Sequence, residues 1–540
     1  MLCPHKITED QKQQLVFLEK LSQCNNFNHL KQLQALSITL GHSQTQLCAF
    51  KLLRFAAKTL FNLPYARLIF NYISSPNVHV FDAMITAYFR SSLELFRQML
   101  RHGNTFSCYC SRPNQFVYPQ VLKSAPEVME PRAWGSVHAH VVKTGFDENT
   151  VIQTALVDSY ARSSLGVGNA RKVFDEMRER TVVTWTAMVS RYIRIGDVDN
   201  AVVLFESMPD RGRDVPSWNA IIAGCAQNGM FSLAISLFKR LMDCFLRENG
   251  RVRPNHVTVA SALSACGHSG MLQLGKWIHG YACRNGLVPD SFISNALVDM
   301  YGKCGSLKEA RRVFDMTLQK ELTSWNSMIN CYALHGESKN AISVFEEMIA
   351  SENDVRPDEI TFIGLFNACT HGGLVEEGIA YFHLMTKGYE IKPEIQHYGC
   401  LIDLFGRAGR FEEAMNVINR MEMEPDEAIW GSLLNGCKIH HRTDLAEFAL
   451  HKLMEIDPQN GGYASMLANI YGELGDWEEV RKVRKMLKDR NAYKTPGCSW
   501  IEVNEQAFQF HSDDTSHPRI KEMHQILKSL VGFICINSSQ

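Results

Sequence analysis

The groups in this chain best suited to bind a ligand are polar side chains that recur at one place in a repeated segment, usually directly after a tryptophan. They are Thr186, Asn219, Asn295 and Asn326. A hydroxyl or an amide both donates and accepts hydrogen bonds, so it can match the edge of an unpaired nucleobase where a carboxylate or an ammonium group alone could not. The alternative is that each is a helix N-cap, the commonest role of Asn and Thr near a helix start.

The tryptophans belong to an apolar stripe. In the copy that begins at Trp325, Ile329 and Tyr332 follow at four and seven places, which is the spacing of one helix face. A tryptophan could stack on a base, but its place in the stripe favours packing in the core. The polar residue that follows lies about 100° round the helix, so repetition would produce a polar line beside the core-facing stripe.

Two motifs resemble catalytic sites but lack residues that the chemistry requires. Residues 270–277 (GMLQLGKW) fit most of a phosphate-binding loop, yet Trp277 stands where Ser or Thr must contact magnesium. His335 and Glu337 match the H-x-E of zinc-dependent cytidine deaminases. This motif spans a repeat turn, and the chain has no C-x-x-C to complete a zinc site. We therefore predict no enzymatic activity, no cofactor and no metal site.

A short repeated unit, marked by glycine, must position the polar residues. Eight glycines lie between stretches of helical apolar spacing: Gly196, Gly229, Gly270, Gly305, Gly336, Gly373, Gly409 and Gly475. Five places after the first seven stands a small residue: Ala201, Ala234, Gly275, Ala310, Ala341, Gly378 and Ala414. A turn glycine followed by a residue that lets helices approach to about 8 Å predicts a helix-turn-helix hairpin. Such short units bury their apolar faces only by stacking.

Composition indicates a globular chain of 540 residues, 45% hydrophobic and 21% charged. Its 56 Lys+Arg and 57 Asp+Glu argue against binding nucleic acid mainly by phosphate neutralisation, but not against a base-reading groove. The 16 cysteines are scattered, which favours reduced core thiols over disulfides or metal ligands. No apolar run approaches the ~18 residues of a membrane span. Early Glu9 and Asp10, with no arginine before Arg54, do not suggest a transit peptide.

Three kinds of unit recur in order between residues 77 and 426. The first opens with an aromatic residue before a polar one. The second is marked by residues 134–138 (WGSVH) and 275–279 (GKWIH), and the third by residues 154–160 (TALVDSY) and 295–301 (NALVDMY). Residues 1–76 read as a leader and a degenerate helical repeat or cap. Two irregularities interrupt the first half of the array. Residues 90–95 lack a turn glycine and are followed by extra residues at 104–111, and the glycine in residues 165–168 is displaced.

This ordered alternation resembles the plant-type pentatricopeptide repeat proteins, specifically the subfamily whose P, L and S repeats come in triplets. Residues 397–410 (HYGCLIDLFGRAGR) are similar to the family's last S repeat, and residues 493–503 (YKTPGCSWIEV) to the start of its E+ extension. The resemblance implies an all-α fold, a right-handed α-solenoid, with the repeat array at 77–426, paired E motifs at 427–494 and a truncated E+ segment at 495–540. Many relatives end in a DYW deaminase domain. This chain stops at Gln540, so we expect the E/E+ class without that domain.

In that family the fifth and last residues of each repeat together choose the base. The corresponding pairs are Thr186 with Asp214, Asn219 with Asn255, and Asn326 with Asp358. For these three the resemblance implies guanine, a pyrimidine and uracil, which gives a target core of G-Y-n-n-U. Asn295 with Glu321, Thr154 with Thr181, and Gly399 with Asp426 are weak or unreadable pairs.

The resemblance further implies a sequence-specific binder of single-stranded organellar RNA, serving as a site-recognition factor for C-to-U editing. A DYW-type cytidine deaminase would be supplied in trans and dock on residues 427–531, a region that could instead be a terminal cap of the stack. Two other classes stay open. One is an RNA factor for splicing, end protection or translation, and the other is a tetratricopeptide-like protein scaffold. The implied location is the mitochondrion, with the chloroplast as the alternative.

Overall fold

The computed structural model describes residues 17, 19–21, 24, 26–41, 44–88, 91–105, 112–128, 131–163, 166–247, 252–288, 290–351, 355–489, 498–503, 506–511, 515 and 519–537. The chain divides into two compact units, Met1–Asn228 and Gly229–Gln540. Both are built from helical hairpins.

The first unit contains twelve described helices of ten residues or so each, and α2 runs on into a π-helical turn, Phe55–Thr59. They are α1 (Phe27–Thr39), α2 (Gln46–Arg54), α3 (Leu63–Tyr72), α4 (Val78–Ala87), α5 (Ser92–Thr105), α6 (Val117–Val128), α7 (Pro131–Lys143), α8 (Thr150–Arg162), α9 (Gly166–Glu176), α10 (Val182–Arg194), α11 (Val198–Ser207) and α12 (Val215–Gln227).

The second unit continues the series, with a π-helical turn, Leu384–Gly388, after α21. Its helices are α13 (Phe231–Arg247), α14 (His256–His268), α15 (Leu272–Arg284), α16 (Ser291–Lys303), α17 (Leu307–Met316), α18 (Leu322–Leu334), α19 (Ser338–Ala350), α20 (Glu359–Gly372), α21 (Val375–His383), α22 (Ile395–Arg407), α23 (Phe411–Arg420), α24 (Glu427–Ile439), α25 (Thr443–Ile456), α26 (Gly461–Glu473), α27 (Trp477–Asp489) and α28 (Ile520–Asn537).

Stacked hairpins account for the packing within each unit. From α4 to α27 the even-numbered helices are the first helices of the hairpins, termed A, and the odd-numbered ones are the second, termed B. Every A helix packs against the next A helix of its unit, and most pack against their own B helix. The predicted all-α class, an α-solenoid of helical hairpins, is therefore confirmed within each unit.

Glycine makes the turns as predicted. All eight marker glycines have φ between 65° and 80°, the left-handed region that a residue with a Cβ rarely adopts. The small residues five places on are also required. The five alanines are fully buried, and a Cβ on Gly275 or Gly378 would lie 2.4 Å from the side chain of Met300 or Leu404. The recurring glycine in the sequence thus indicates the turn, and the small residue five places later indicates the close helix contact that follows it.

The tryptophans pack in the core, which confirms that interpretation. Trp218 is 2% exposed and meets Phe205 edge to face at 4.8 Å, an arrangement worth about 0.5 to 1.5 kcal/mol beyond its buried area. The Arg213 guanidinium lies 5.0 Å from the centre of the same phenylalanine ring. Equivalent clusters form around Trp185 and around Trp325.

A hydrogen bond joins the landmarks of the second and third kinds of unit. His138 Nδ1 lies 2.9 Å from the Tyr160 hydroxyl, and His279 Nδ1 lies 2.9 Å from the Tyr301 hydroxyl. Each histidine is on a B helix, α7 or α15, and each tyrosine is on the A helix that follows. The motifs that distinguish these units in the sequence are thus the two halves of one contact.

Residues 498–511 depart from the helical pattern. Strand β1 (Cys498–Val503) pairs antiparallel with β2 (Gln506–His511), and Cys498 lies opposite His511. Helical spacing could not have predicted this hairpin, because the aromatic residues of β2, Phe508 and Phe510, alternate with polar ones at a period of two. It is the one sheet in the described part of the chain.

Several predicted features fall on residues outside the described set. They are the leader at 1–16, Arg90 and residues 106–111 of the first irregularity, Leu165 of the second, and residues 490–497, which include the start of the E+ resemblance. The flanking residues are described. α4 ends at Ala87 and α5 begins at Ser92, so a hairpin forms there without a turn glycine. At the displaced glycine, Gly166 has a φ of 79° and opens α9.

Candidate nucleic-acid interface

The fifth residue of successive A helices is the first half of the candidate site. These residues are Thr154, Thr186, Asn219, Asn295, Asn326 and Gly399, in helices that begin four residues earlier. An N-cap precedes the first helical residue and has non-helical backbone angles. The N-cap alternative for these side chains is therefore wrong.

The last residue of each repeat holds the cap instead. Those predicted from the sequence are Thr181, Asp214, Asn255, Glu321, Asp358 and Asp426, and each is the N-cap of the next A helix. All but Glu321 accept a hydrogen bond from the backbone N–H three residues on, at 2.9–3.3 Å. Sequence reasoning considered a cap only for the fifth residue of each repeat and missed that the last residue is the cap. The available signal was a capping residue directly before the apolar stripe.

Asn326 and Asp358 form the pair that is brought together most closely. Asn326 Nδ2 donates a 2.9 Å hydrogen bond to Asp358 Oδ1, across from α18 to the start of α20. The Thr361 hydroxyl lies 2.7 Å from Asn326 Oδ1 and 2.8 Å from Asp358 Oδ1, so it can donate to either. Asn326 is only 6% exposed. The amide is held in one orientation, and its second N–H remains for a ligand.

An open groove of about 300 Å³ lies beside this pair. Thr323 and Ile360 line it together with Asn326 and Asp358, and the Ile360 side chain is 54% exposed. Ile360 is the second residue of its A helix, a position with an exposed apolar side chain in several repeats: Val151, Val183, Phe292 and Ile360. Sequence reasoning missed this position, whose signal is an apolar residue between the cap and the core-facing stripe.

Thr154 and Thr181 form a pair that is joined less directly. Thr154 Oγ1 lies 2.7 Å from Thr184 Oγ1, which in turn lies 2.9 Å from Thr181 Oγ1, so the third helical residue bridges this pair. The Thr186 hydroxyl donates to the Val182 carbonyl at 2.8 Å and keeps its acceptor positions.

Asn295 has a hydrogen-bond partner outside its predicted pair. Asn295 Nδ2 donates to Thr323 Oγ1 at 3.0 Å rather than to Glu321. Asn219 and Asn255 belong to different units, and Asn255 forms a capping box with Thr258 at the start of α14. Gly399 offers no side chain opposite Asp426. Among the pairs that lie within one unit, side-chain hydrogen bonds join two: Asn326 with Asp358 directly, and Thr154 with Thr181 through Thr184.

A basic cavity of about 520 Å³ lies in the first unit, between α6, α8 and α10. It is lined by Lys123, Arg162, Arg191 and Arg194, with Asp158 as the carboxylate, which pairs with Arg162 at 2.6 Å. The Nε atoms of Arg162 and Arg191 are buried and have no hydrogen-bond partner among the described residues. Burial, together with the neighbouring guanidinium groups, lowers the pKa of Arg191. A bound anion would relieve this excess of positive charge.

Neither catalytic resemblance forms a site. Gly270 makes a helix turn between α14 and α15, and Trp277 lies within α15. His335 Nε2 lies 2.6 Å from the Gly302 carbonyl, while Glu337 is the N-cap residue of α19. Gly270 and Trp277 thus belong to a turn and to the helix after it, and His335 and Glu337 both belong to the turn between α18 and α19.

Comparison with known proteins gives a relative that covers nearly the whole chain. The pentatricopeptide repeat-containing protein At1g33350 of Arabidopsis thaliana is 53% identical over 522 residues, which span 95% of this chain and 94% of that protein. The chain belongs to the pentatricopeptide repeat family. Models of that family agree: those described as PPR repeat match residues 183–213, 216–244, 292–322 and 397–424, and the PPR repeat family model matches residues 320–371. The predicted family is confirmed.

The pentatricopeptide repeat assignment extends to the C-terminal part, where an E motif model matches residues 440–502. Two other Arabidopsis relatives carry an organelle in their names. The putative protein At3g11460, mitochondrial, is 32% identical over 84% of this chain and 82% of its own, and CRR2, chloroplastic, is 36% identical over 91% and 69%. Among solved structures, pentatricopeptide repeat protein PPR10 from maize aligns over 89% of this chain and 78% of its own, at 17% identity and a TM-score of 0.49.

The described residues of this pentatricopeptide repeat chain include no group of three or more His, Cys, Asp or Glu placed to hold a metal ion. No helix among them is long and apolar enough to cross a membrane. Seven of the described cysteines are buried, as predicted: Cys24, Cys48, Cys225, Cys266, Cys331, Cys369 and Cys437. Burial raises the pKa of the Cys331, Cys369 and Cys437 thiols to about 12.

Proposed function

We propose that this protein binds single-stranded organellar RNA sequence-specifically through the fifth and last residues of its repeats. Its role is site recognition for C-to-U editing, with a cytidine deaminase supplied in trans. The observation that carries the proposal is the hydrogen-bonded pair of Asn326 and Asp358 beside an open groove. An amide and a carboxylate held in fixed orientation present a donor and acceptors to the edge of one base.

Uracil suits this pair chemically. Its carbonyl oxygens can accept the remaining Asn326 N–H, and its ring N–H can donate to the Asp358 carboxylate, while the exposed Ile360 covers one face of the ring. A contact of this kind is worth about 1 to 3 kcal/mol of discrimination or stacking. Specificity would therefore be the sum over the repeats that have a readable pair.

The basic cavity supports a polyanionic ligand. Four cations from three A helices face one carboxylate, and RNA phosphates would replace the missing counter-charge. The net charge of -1 makes such a cluster a local feature rather than a general attraction to nucleic acid.

Base reading at Asn326 can be tested by substitution. We expect Asn326→Thr to shift the preference at one position of a G-Y-n-n-U RNA from U towards G, by about 1 to 3 kcal/mol in relative affinity. The measurement is fluorescence anisotropy with four RNAs that differ only at that position. Asn340→Thr, an exposed asparagine on α19, is the matched control. A protein scaffold of the tetratricopeptide type would show no base-dependent change in either variant.

The E-motif match favours editing over other RNA functions. The two relatives with an organelle in their names support an organellar location, which we propose is the mitochondrion, with the chloroplast as the alternative. Sequencing of organelle transcripts from a null line should show one or a few cytidines left unconverted. Intact editing together with an unspliced or shortened transcript would instead favour a splicing or end-protection factor. The chain itself is proposed to be non-catalytic and to use no cofactor.

A further inference from the structure

A second groove, of about 380 Å³, lies in the C-terminal region that matches the E motif. Its walls are the B helices α25 and α27, and α26 forms its floor. The floor and lower walls are apolar and mostly buried: Leu450, Met454, Leu467, Tyr471, Val483 and Met486. It is unlike the groove beside Asn326, because its polar groups form a rim above an apolar base.

The rim is acidic. Glu447 and Glu455 lie on α25 and Glu479 lies on α27. The one basic side chain among the described lining residues is His451, whose Nδ1 lies 3.2 Å from Glu455 Oε1, and the Tyr471 hydroxyl donates to Glu447. Lys452 and Lys482 pair with Glu455 and Glu479 at 3.0 and 2.5 Å from outside the groove. Three carboxylates and two paired lysines leave an excess of negative charge, which disfavours RNA phosphates at this groove.

The shape fits a helical segment. From Glu447 to Glu455 the wall spans eight residues, or about 12 Å of helix rise, which is room for apolar anchors on two successive turns. Met454 on α25 and Met486 on α27 give the lower walls side chains that adapt to different apolar partners. An occupant would need apolar side chains on one face and basic residues flanking them.

We propose that this groove binds an amphipathic helix of a partner protein, with leucine-like anchors on the apolar floor between Met454 and Met486 and Lys or Arg against Glu447, Glu455 and Glu479. The inference rests on the proposed function, in which the E region recruits a second protein, and it names the surface and the chemistry of that contact. Charge complementarity with the acidic rim is what selects a basic partner segment.

The probe is a synthetic Leu/Lys amphipathic peptide of ~15 residues, compared with a Leu/Glu peptide of the same apolar pattern. The full chain is labelled with ¹³C in its methionine methyl groups so that their NMR signals can be followed. The affinity for each peptide is measured by fluorescence anisotropy. We expect the Leu/Lys peptide to bind, the Leu/Glu peptide not to bind, and the methyl signals of Met454 and Met486 to shift while buried Met99 stays unchanged.

Reversing the charge of two rim carboxylates gives a variant that tests the proposal. The double change Glu455→Lys and Glu479→Lys should weaken Leu/Lys peptide binding about tenfold, as expected for two exposed ion pairs lost and reversed. The control, Glu346→Lys with Glu412→Lys, makes the same change in net charge on the exposed faces of other B helices and should bind normally. Equal loss in the control would make the effect one of net charge and overturn the proposal.

Two other results would also overturn it: equal binding of the Leu/Glu peptide, or binding that occurs only after residues 519–540 are deleted. The second would make the occupant the chain's own α28, whose Ile526 and Leu527 are exposed. RNA affinity is measured on the same preparations. If the chain binds RNA but not the Leu/Lys peptide, only the proposal for this groove is rejected. If it binds the peptide but not RNA, only the proposed function is rejected.

Discussion

At the scale of single residues, a buried hydroxyl three places into an A helix lies between the fifth and last residues in two pairs, at Thr184 and at Thr361. Thr361 Oγ1 lies within hydrogen-bond distance of both Asn326 Oδ1 and Asp358 Oδ1 and can donate its one proton to either. The contrasting case is Ser324, whose buried hydroxyl has no partner among the described residues and which follows Glu321, a residue that makes no cap hydrogen bond. A satisfied network fixes its members, whereas an unsatisfied one leaves them loose. That Asn295 with Glu321 is a weak pair for base reading stays a prediction.

Close contact between A helices gives a residue-scale prediction at Gly436. A Cβ there would lie 2.6 Å from Gly406 Cα and 2.9 Å from its carbonyl oxygen. Backbone cannot move aside as a side chain can, so Gly436→Ala should lower the free energy of unfolding by about 1 to 3 kcal/mol. Urea unfolding followed by circular dichroism measures it.

Gly431→Ala is the matched control for this prediction, because both glycines lie in α24 and share the gain of about 0.5 to 1 kcal/mol from replacing a helical glycine. A Cβ at Gly431 would meet only Tyr463 Cε1, at 3.5 Å. We expect this variant to be neutral or more stable. Equal destabilisation of both variants would show that helix contact at Gly406 is not the cause.

The residue types of the site could be predicted, but their contacts could not. Asn326 and Asp358 stood out because the same residue types recur at fixed places in the repeat. Their hydrogen bond depends on the distance between α18 and α20, which no spacing along one helix reports. The basic cavity was missed for the same reason, since Lys123, Arg162 and Arg191 are far apart in the chain and lie in three helices.

At the scale of elements, hydrogen bonds between His and Tyr link a B helix to the A helix that follows. The Tyr301 hydroxyl can donate to His279 Nδ1 only while that nitrogen is unprotonated. Burial lowers the pKa of His279 below its ordinary 6.5, and burial likewise raises the pKa of Tyr301 to about 12. Both groups are therefore held neutral at the junction of α15 and α16.

This junction predicts a loss of stability in acid. Between the lowered pKa of folded His279 and the 6.5 of the unfolded chain, the unfolded state binds more protons, so stability falls as pH drops through about 6.5. His279→Asn keeps an acceptor near the Nδ1 position but does not titrate. Its urea midpoint should fall less than that of the parent between pH 7.5 and 5.5.

His371→Asn, at an exposed site near the end of α20, is the control and should keep the pH dependence of the parent. His138 at the junction of α7 and α8 has a pKa lowered by burial in the same way, although Glu176 and Asp147 oppose the shift. The urea midpoint of the double variant at His138 and His279 should therefore depend even less on pH. If the urea midpoint of that variant depended on pH as steeply as that of the parent, these junctions would not be the cause of the loss of stability.

Elements were predictable where one physical cause repeats along the chain. Turn glycines, apolar stripes and caps follow from local geometry, so the hairpins could be anticipated. The β-hairpin at 498–511 occurs once, and a single alternating segment carries little signal next to a helical repeat. The bounds expected for the E motifs, 427–494, stay a prediction.

At the scale of the whole molecule, a balanced charge conceals two surfaces of opposite sign. The total of -1 combines the basic cavity in the first unit with the acidic groove between α25 and α27 in the second. Net charge alone therefore argues only against a uniformly basic protein. Local fields still attract and orient ligands of opposite charge within about a Debye length, roughly 8 Å at physiological salt.

The basic cavity leads to a prediction about how RNA binding depends on salt. If Arg191 neutralises a phosphate, Arg191→Gln should weaken RNA binding by a similar factor for every sequence and reduce the slope of log affinity against log salt by about 1. The measurement is anisotropy at several salt concentrations with a G-Y-n-n-U RNA and a scrambled one. Arg178→Gln, an exposed residue paired with Glu148, removes the same charge from the same unit and should leave the slope nearly unchanged. A loss confined to the G-Y-n-n-U sequence would instead make Arg191 part of base reading, because phosphate contacts carry no sequence information.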